Sequence, residues 1–269
     1  MRKIHPKAEV SKKAELGKDV VVGPFAVIDA NVKIGDGTVI GPHAYITGYT
    51  TIGKGNEIFN GACIGSRPQD LKYKGEKTYL EIGDNNLIRE FTTLNPGTEE
   101  GGGRTVVGSN NLIMAYAHIA HDCRIGNHCI IVNCGSLAGH VVVEDHAVIS
   151  GLVAVHQFVR IGKLAIIGGC SKVVQDIPPF STCDGHPARV FGLNRIGLRR
   201  NKFPVPVIKE LDTAFNIIFN SGIPVKKALE KLDKEKNPSE DVNYLINFIK
   251  SSSRGITRSC RAAHNGDEE

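Results

Sequence analysis

Branched aliphatic residues recur at every sixth position from Val107 through Ile113, Ile119, Ile125, Ile131, Leu137, Val143 and Ile149 to Val155, Ile161, Ile167 and Val173. A helix repeats every three to four residues and a half-buried strand every two, so a period of six belongs to neither. It marks a hexapeptide solenoid, in which each unit is a short strand plus a corner. If three units close one triangular coil, residues 18 apart lie above one another, separated by one strand spacing of roughly 4.8 Å. The N-terminal segment repeats the rhythm from Ile4 to Ile64, with eleven anchors at intervals of six. Two such runs are not chance.

Glycine often follows the anchor, as at Gly17, Gly23, Gly35, Gly41 and Gly53, where a corner is expected to need backbone conformations unfavourable to other residues. Two positions before the anchor the side chain is often small (Ala8, Ala14, Ala26, Thr38, Ala44, Ala62), so that slot points into a tight interior. Cys123 and Cys129 occupy it and read as core fillers. Cys123 lies near His121, but a reactive thiol needs an exposed, charge-stabilised site rather than a packed one.

The rhythm breaks twice, in polar loops near 67–78 and 96–106, before anchors resume. Insertions in a solenoid project from one side, often the binding side. Gln69, Asp70, Lys72 and Lys74 are therefore either substrate contacts or a solvated loop. The repeat ends near Pro178, which suggests a β-helix domain over 1–190 and a helical domain over 191–269 that caps one end. Val207, Ile208, Leu211, Phe215, Ile218 and Phe219 share one helical face, Leu245, Phe248 and Ile249 suggest a second helix, and the charged stretch after Pro224 suggests another. The tail beyond Arg254 lacks an apolar pattern and is expected to fray.

Thirty glycines and no tryptophan suit a corner-rich repeat. The net charge of +5 is mild and gives no ground for a nucleic-acid partner. Seven cysteines without a signal peptide or a C-x-x-C pair indicate a reducing compartment, hence a cytoplasmic protein. No run reaches the roughly 18 apolar residues of a membrane span.

The coil arithmetic places histidines together. His118 and His121 flank anchor Ile119, His140 follows Leu137 by three residues, and His156 follows Val155 by one, so four of ten histidines are expected on one face of three successive coils. Such a cluster suits either metal binding or a general base near neutral pH. His128 and His146, 18 apart on another face, show that a histidine column alone does not define a site.

The strings AHIAHDC (117–123), LAGH (137–140), AVHQF (154–158), RPQDLKYKGE (67–76), the segment from FGLN to LRR and the closing SSSRG resemble the UDP-N-acetylglucosamine O-acyltransferases that begin lipid A biosynthesis. The resemblance covers nearly the whole chain, both interruptions included. It implies a left-handed parallel β-helix with a small C-terminal helical domain, assembled as a homotrimer with active sites between subunits. It further implies transfer of an (R)-3-hydroxyacyl chain from acyl carrier protein to the glucosamine 3-hydroxyl of UDP-N-acetylglucosamine, with no covalent intermediate, metal or cofactor. The left hand runs against the usual rule for parallel crossovers and rests on the resemblance alone.

Carried over motif by motif, the resemblance makes His121 the general base and the backbone N–H of Gly139 the oxyanion donor, with His118 and His140 in support. His156 and Gln157 would line the nucleotide pocket, and Lys72, with Gln69 and Asp70, would reach the sugar from across a subunit boundary. Asn194, Arg199 and Arg200 would contact diphosphate and uridine, and the basic linker would suit an acidic carrier protein. Gly169 matches the position that limits the acyl groove, and reads equally as a corner glycine. His186 stands where family members often carry asparagine, which leaves the acyl length open.

Three rivals are weaker. A γ-class carbonic anhydrase holds zinc through histidines that include an H-x4-H pair, and no two histidines here are five apart. A scaffolding β-helix leaves the loops and histidines without a purpose. The N-acyltransferase that acts later in the same pathway carries an extra N-terminal uridine-binding domain, whereas here the hexapeptides begin at Ile4.

Overall fold

In the computed structural model, which describes residues 3–234 and 238–260, the anchors close a triangular prism. Among the described residues it has three sheets of eleven, nine and eight strands, parallel throughout except for a final antiparallel hairpin that supplies the last two strands of the first. In chain order, face 1 starts with Lys3–Ile4, face 2 with Glu9–Val10 and face 3 with Glu15–Leu16. Each strand pairs with the one a coil away, so Ile119 lies beside Leu137 and Leu137 beside Val155, the expected offset of 18. Most strands are two residues long. That suffices because the anchor buries its side chain inside the prism while the backbone pairs with coils on either side.

The small slot two residues before the anchor is also interior. Ala26, Ala44, Ala62, Cys123 and Cys129 are all buried. At the corner from face 3 to face 1 the slot becomes polar, and Asn56, Asn86 and Asn111 stack with each side-chain oxygen accepting the next coil's backbone N–H. Buried amides persist there because the stack satisfies them.

The corner glycines work differently from the sequence expectation. The left-handed residue of a corner lies three positions after the anchor and is usually not glycine: Asp122 (φ 61°), His140 (φ 61°) and Phe158 (φ 65°) are examples. Glycine directly after the anchor answers to space instead. A Cβ on Gly35 would lie 2.6 Å from the Gly53 carbonyl carbon of the next coil.

Both insertions leave the ladder intact. Ile58 pairs with Ile88 and Ile88 with Ile113, offsets of 30 and 25 against the usual 18. The excess residues are carried by 65–78 and 95–103, which both leave the corner between faces 2 and 3. Pairing resumes at Arg104, so the second loop ends earlier than expected.

A hairpin of Ser181–Gly185 and Ala188–Leu193 extends face 1 and runs across the 190/191 boundary expected from sequence. Among the described residues four α-helices come after it: α1 (Arg195–Arg200), α2 (Val205–Phe215), α3 (Val225–Leu232) and α4 (Glu240–Lys250). The first amphipathic helix is not uniform, because α2 passes into a π-helical turn at Asn216–Asn220 that still buries Ile218 and Phe219. The α4 helix docks on the last coils: Tyr244 donates to Glu144, and the Arg160 guanidinium lies 4.3 Å from the centre of the Phe248 ring.

The tail is not frayed as far as Cys260, and the remainder of the expected frayed segment, 261–269, lies outside the described residues. Thr257 donates to the Asp176 carbonyl, Val190 donates to the Arg258 carbonyl, and Thr257 and Ser259 are buried. Backbone pairing orders this segment, a signal that an apolar-periodicity argument does not carry. Among the described residues no helix is long and apolar enough to cross a membrane.

Candidate active site

The corner from face 2 to face 3 gathers both loops and the paired histidines. His121 and Asp122 form one corner, Gly139 and His140 the same positions a coil later, and Gln157 and Phe158 the next. Corner is locked to corner, since His140 N–H donates to the His121 carbonyl and Phe158 N–H to the Gly139 carbonyl.

Asp122 is the hub. Its side chain is fully shielded, with Oδ1 accepting Thr98 N–H at 2.8 Å and Oδ2 accepting the Thr98 hydroxyl at 2.7 Å. The His121 Nδ1 lies 2.8 Å from the same Oδ2, and Asp122 N–H donates to Thr105 Oγ1 at 2.7 Å. Burial alone would raise this carboxyl, but the bonds from His121 and Thr98 outweigh it and hold it below the usual carboxylate range. A carboxylate can only accept, so in the neutral His121 ring Nδ1 carries the proton and Nε2 keeps its lone pair.

Two glycines make the room. Gly101 packs so closely on Asp122 that a Cβ would overlap the carboxylate. A Cβ on Gly139 would lie 2.5 Å from Cε1 and 2.7 Å from Nε2 of His121, so only glycine leaves that nitrogen open. Among the described residues, the Gly139 N–H donates to no backbone carbonyl.

His140 joins from above, its Nε2 3.7 Å from Asp122 Oδ2 and its ring edge-on to His121 at 5.2 Å. Its other side stacks on Phe158 at 4.5 Å. Burial lowers the His140 pKa, against the opposing pull of Asp122, Asp70 and Glu100. His118 projects from face 2 with Nδ1 2.6 Å from Thr93 Oγ1, and burial followed by the nearby His121 charge lowers its pKa too. Both are therefore neutral near pH 7, poised to hold polar groups rather than to carry charge.

The four histidines do not share one face as expected. His118 lies on the flat of face 2 and His121 and His140 at the corner, because corner residues turn away from the strand they follow. His156 is exposed two coil spacings beyond Ala120, and its Nδ1 lies 3.1 Å from the Gln157 carbonyl.

The loop reaches the same corner within one chain. Asp70 and Glu100 act on His140, and Lys72 pairs with Glu100 at 2.9 Å. Asp70, Lys72, Thr98 and Glu100 line a cavity of about 280 Å³ between the two loops. Gln69 is exposed.

Other expected site residues lie elsewhere. Gly169 is at the corner between faces 1 and 2. Its φ is not left-handed and a Cβ would meet only the Gly151 carbonyl oxygen at 3.3 Å, so the corner does not require glycine there. Asn194 and Arg200 line a groove at the corner between faces 3 and 1, and Arg199 is exposed. Asn194 is heavily used: its oxygen caps α1 by accepting Gly197 N–H, and its amide donates to the Leu164 carbonyl, leaving one amide hydrogen.

Sequence reasoning missed Asp122, Thr98, Thr105 and Gly101. The available signals were the carboxylate adjacent to His121 and the GTEEGGG loop inserted one coil below it. Cys123 is a core filler as expected: it is buried, its Sγ donates to the Ala138 carbonyl, and burial pushes its thiol up to about 12. His121, Asp122 and His140 offer ligand atoms within 4.8 Å of one another, but both Asp122 oxygens already accept hydrogen bonds. A metal would have to displace His121 or Thr98.

A family model described as UDP-N-acetylglucosamine O-acyltransferase, domain 2, matches residues 176–257, and bacterial transferase hexapeptide repeats match 13–48 and 104–139. The acyl-(acyl-carrier-protein)-UDP-N-acetylglucosamine O-acyltransferase of Alkalilimnicola ehrlichii is 53% identical over 258 residues, 96% of this chain and 100% of that protein. The enzyme of the same name from Aliarcobacter butzleri is 49% identical over 260 residues, 95% of this chain and 98% of that one. Among solved structures, the UDP-N-acetylglucosamine acyltransferase of Bacteroides fragilis superposes with a TM-score of 0.92 at 45% identity, covering 94% of this chain and 99% of that one. The Francisella novicida enzyme gives 0.93 at 38% identity, covering 97% and 95%. The prism is thus a left-handed parallel β-helix, the hand that periodicity left undecided. With sequence similarity spanning helix, loops and C-terminal domain, the chain belongs to the UDP-N-acetylglucosamine O-acyltransferase family and is an acyltransferase.

Proposed function

We propose that this chain transfers an (R)-3-hydroxyacyl group from acyl carrier protein to the 3-hydroxyl of UDP-N-acetylglucosamine, the first step of lipid A biosynthesis, without a covalent enzyme intermediate. One observation carries the mechanism: His121, oriented through Nδ1 by a buried carboxylate, with Nε2 kept open beneath Gly139. Nε2 takes the proton of the sugar hydroxyl as that oxygen attacks the thioester carbonyl. The tetrahedral oxyanion collapses, the C–S bond breaks, and the imidazolium returns its proton to the leaving thiolate. Gly139 N–H serves the oxyanion, and neutral His118 and His140 hold the sugar. Direct transfer is supported by the nearby Cys123 thiol, which is sealed and protonated.

Lys72, with Gln69 and Asp70, contacts the sugar. His156, Gln157, Asn194, Arg199 and Arg200 contact the nucleotide, and Gly169 leaves the acyl groove open. These groups occupy different corners of one prism. A homotrimer brings corners of neighbouring copies together, and the exposed Tyr116, Leu152 and Phe158 along the prism edges support that assembly. The reaction draws on carrier-protein thioesters and is assigned to the cytoplasm.

The test is acyl transfer to UDP-N-acetylglucosamine from a panel of 3-hydroxyacyl carrier proteins, read by mass spectrometry. The wild type is expected to make the 3-O-acyl product and His121→Ala to lose about 10²- to 10⁴-fold in kcat. No product with any chain overturns the substrate assignment. Undiminished product from the variant overturns the choice of base.

A further inference from the structure

The groove beneath α1 contains a pair of residues that the reaction leaves unused. His128 and His146 lie one above the other at the corner between faces 3 and 1, with rings 4.8 Å apart and 7° from parallel. They line a groove of about 470 Å³ together with Asn194, Arg200 and Asn201. Parallel stacking occupies ring faces and leaves the nitrogen-bearing edges free to face a ligand. Two imidazole edges, a guanidinium fork and the one amide hydrogen left on each of Asn194 and Asn201 form a donor set, and no acidic side chain is among the described residues that line the groove. That chemistry suits phosphate oxygens.

We propose that the stacked His128–His146 pair belongs to the nucleotide-sugar site and, with Arg200, grips the phosphate oxygens of a nucleoside diphosphate, making nucleotide affinity rise as pH falls. The inference rests on the reading of Asn194 and Arg200 as nucleotide contacts and extends it to two residues at a corner away from the catalytic one.

The charges facing the pair set the sign. Burial lowers the pKa of His146, as does the charge of its neighbour His128; Asp145 on the same corner opposes this and Lys163 on the next coil adds to it. Arg200, from α1, is a further cation on the groove. An arriving dianion favours the imidazolium, so binding takes up protons and weakens as pH rises through the imidazole range.

Calorimetric titration with UDP-N-acetylglucosamine tests this, because both phosphates of that ligand keep a constant charge over the range used. Between about pH 8 and about pH 6 the wild type is expected to tighten roughly tenfold. His128→Asn/His146→Asn is expected to tighten by about threefold or less, while uridine, which lacks phosphate, binds both proteins with little pH dependence. Asparagine is chosen because both positions are left-handed (φ 56° and 60°), a conformation it tolerates. The single variant at exposed His128, with an intermediate slope, serves if the double variant melts early. A double variant with the wild-type slope overturns the proposal, as does a uridine affinity that falls in step with that of the nucleotide sugar. A wild type that binds UDP-N-acetylglucosamine at neither pH removes the underlying functional reading instead.

Discussion

Two corners of this prism each carry a histidine pair from successive coils, and only one is built as a catalytic centre. At the 2/3 corner, His121 and His140 are 19 residues apart, meet edge-on and converge on a buried carboxylate. At the 3/1 corner, His128 and His146 are 18 apart, stack flat and face an open groove. The one-residue difference decides the outcome. It puts His121 at the first corner position, under a glycine, and leaves the second position to Asp122. A strict column instead places both rings at the outward, left-handed position, where His128 is solvent-exposed.

The sharpest way to break this contrast is Asp122→Asn. An amide can donate to Nδ1, which would move the imidazole proton to Nε2 and remove the base. Loss of kcat by about 10²- to 10⁴-fold is expected, with a smaller change in KM. Asp145→Asn, beside His146, is expected to stay within about threefold in steady-state turnover. Equal losses from the two would mean that the buried carboxylate is not what separates the corners.

Gly139→Ala comes next. Its methyl would force the His121 ring to move, so kcat should fall by about tenfold to 10²-fold. Melting should also occur at lower temperature, and a crystal structure would reveal the displaced ring. Full activity in this variant would show that Nε2 does not need that space.

The smallest effect is on stability. Asp122 titrates below its ordinary value in the fold, so its contribution is fully present above the unfolded-state carboxylate pKa and drains away as pH falls through the folded value. Thr98→Val removes the hydroxyl bond and lets the folded pKa rise. Denaturant unfolding should show a loss of about 1–2 kcal/mol at neutral pH that shrinks toward zero in acid. A loss that does not vary with pH would assign the effect to packing.

Much of this is legible in the chain. The anchors define the coil, the offset of 18 sets the register, and the pre-anchor slot identifies Cys123 and Cys129 as interior, where both are buried. The positions of the two interruptions place both loops on one side. The clamp of Thr98 on Asp122 is not legible, because it depends on how an aperiodic loop folds back over a coil. The paired tail at Thr257 escapes for a similar reason, since backbone pairing leaves no apolar rhythm.

The order of residues alone dictates the repeat, the stacking of residues one coil apart and the side on which the insertions emerge, since a six-residue period with inward anchors has few ways to bury its apolar surface. Three-dimensional packing had to choose which histidine meets a carboxylate, which glycine serves space rather than backbone conformation, and which arginine shares a groove with the second histidine pair. Those outcomes depend on angstrom-scale approach between segments distant in the chain, and periodicity has no term for that distance.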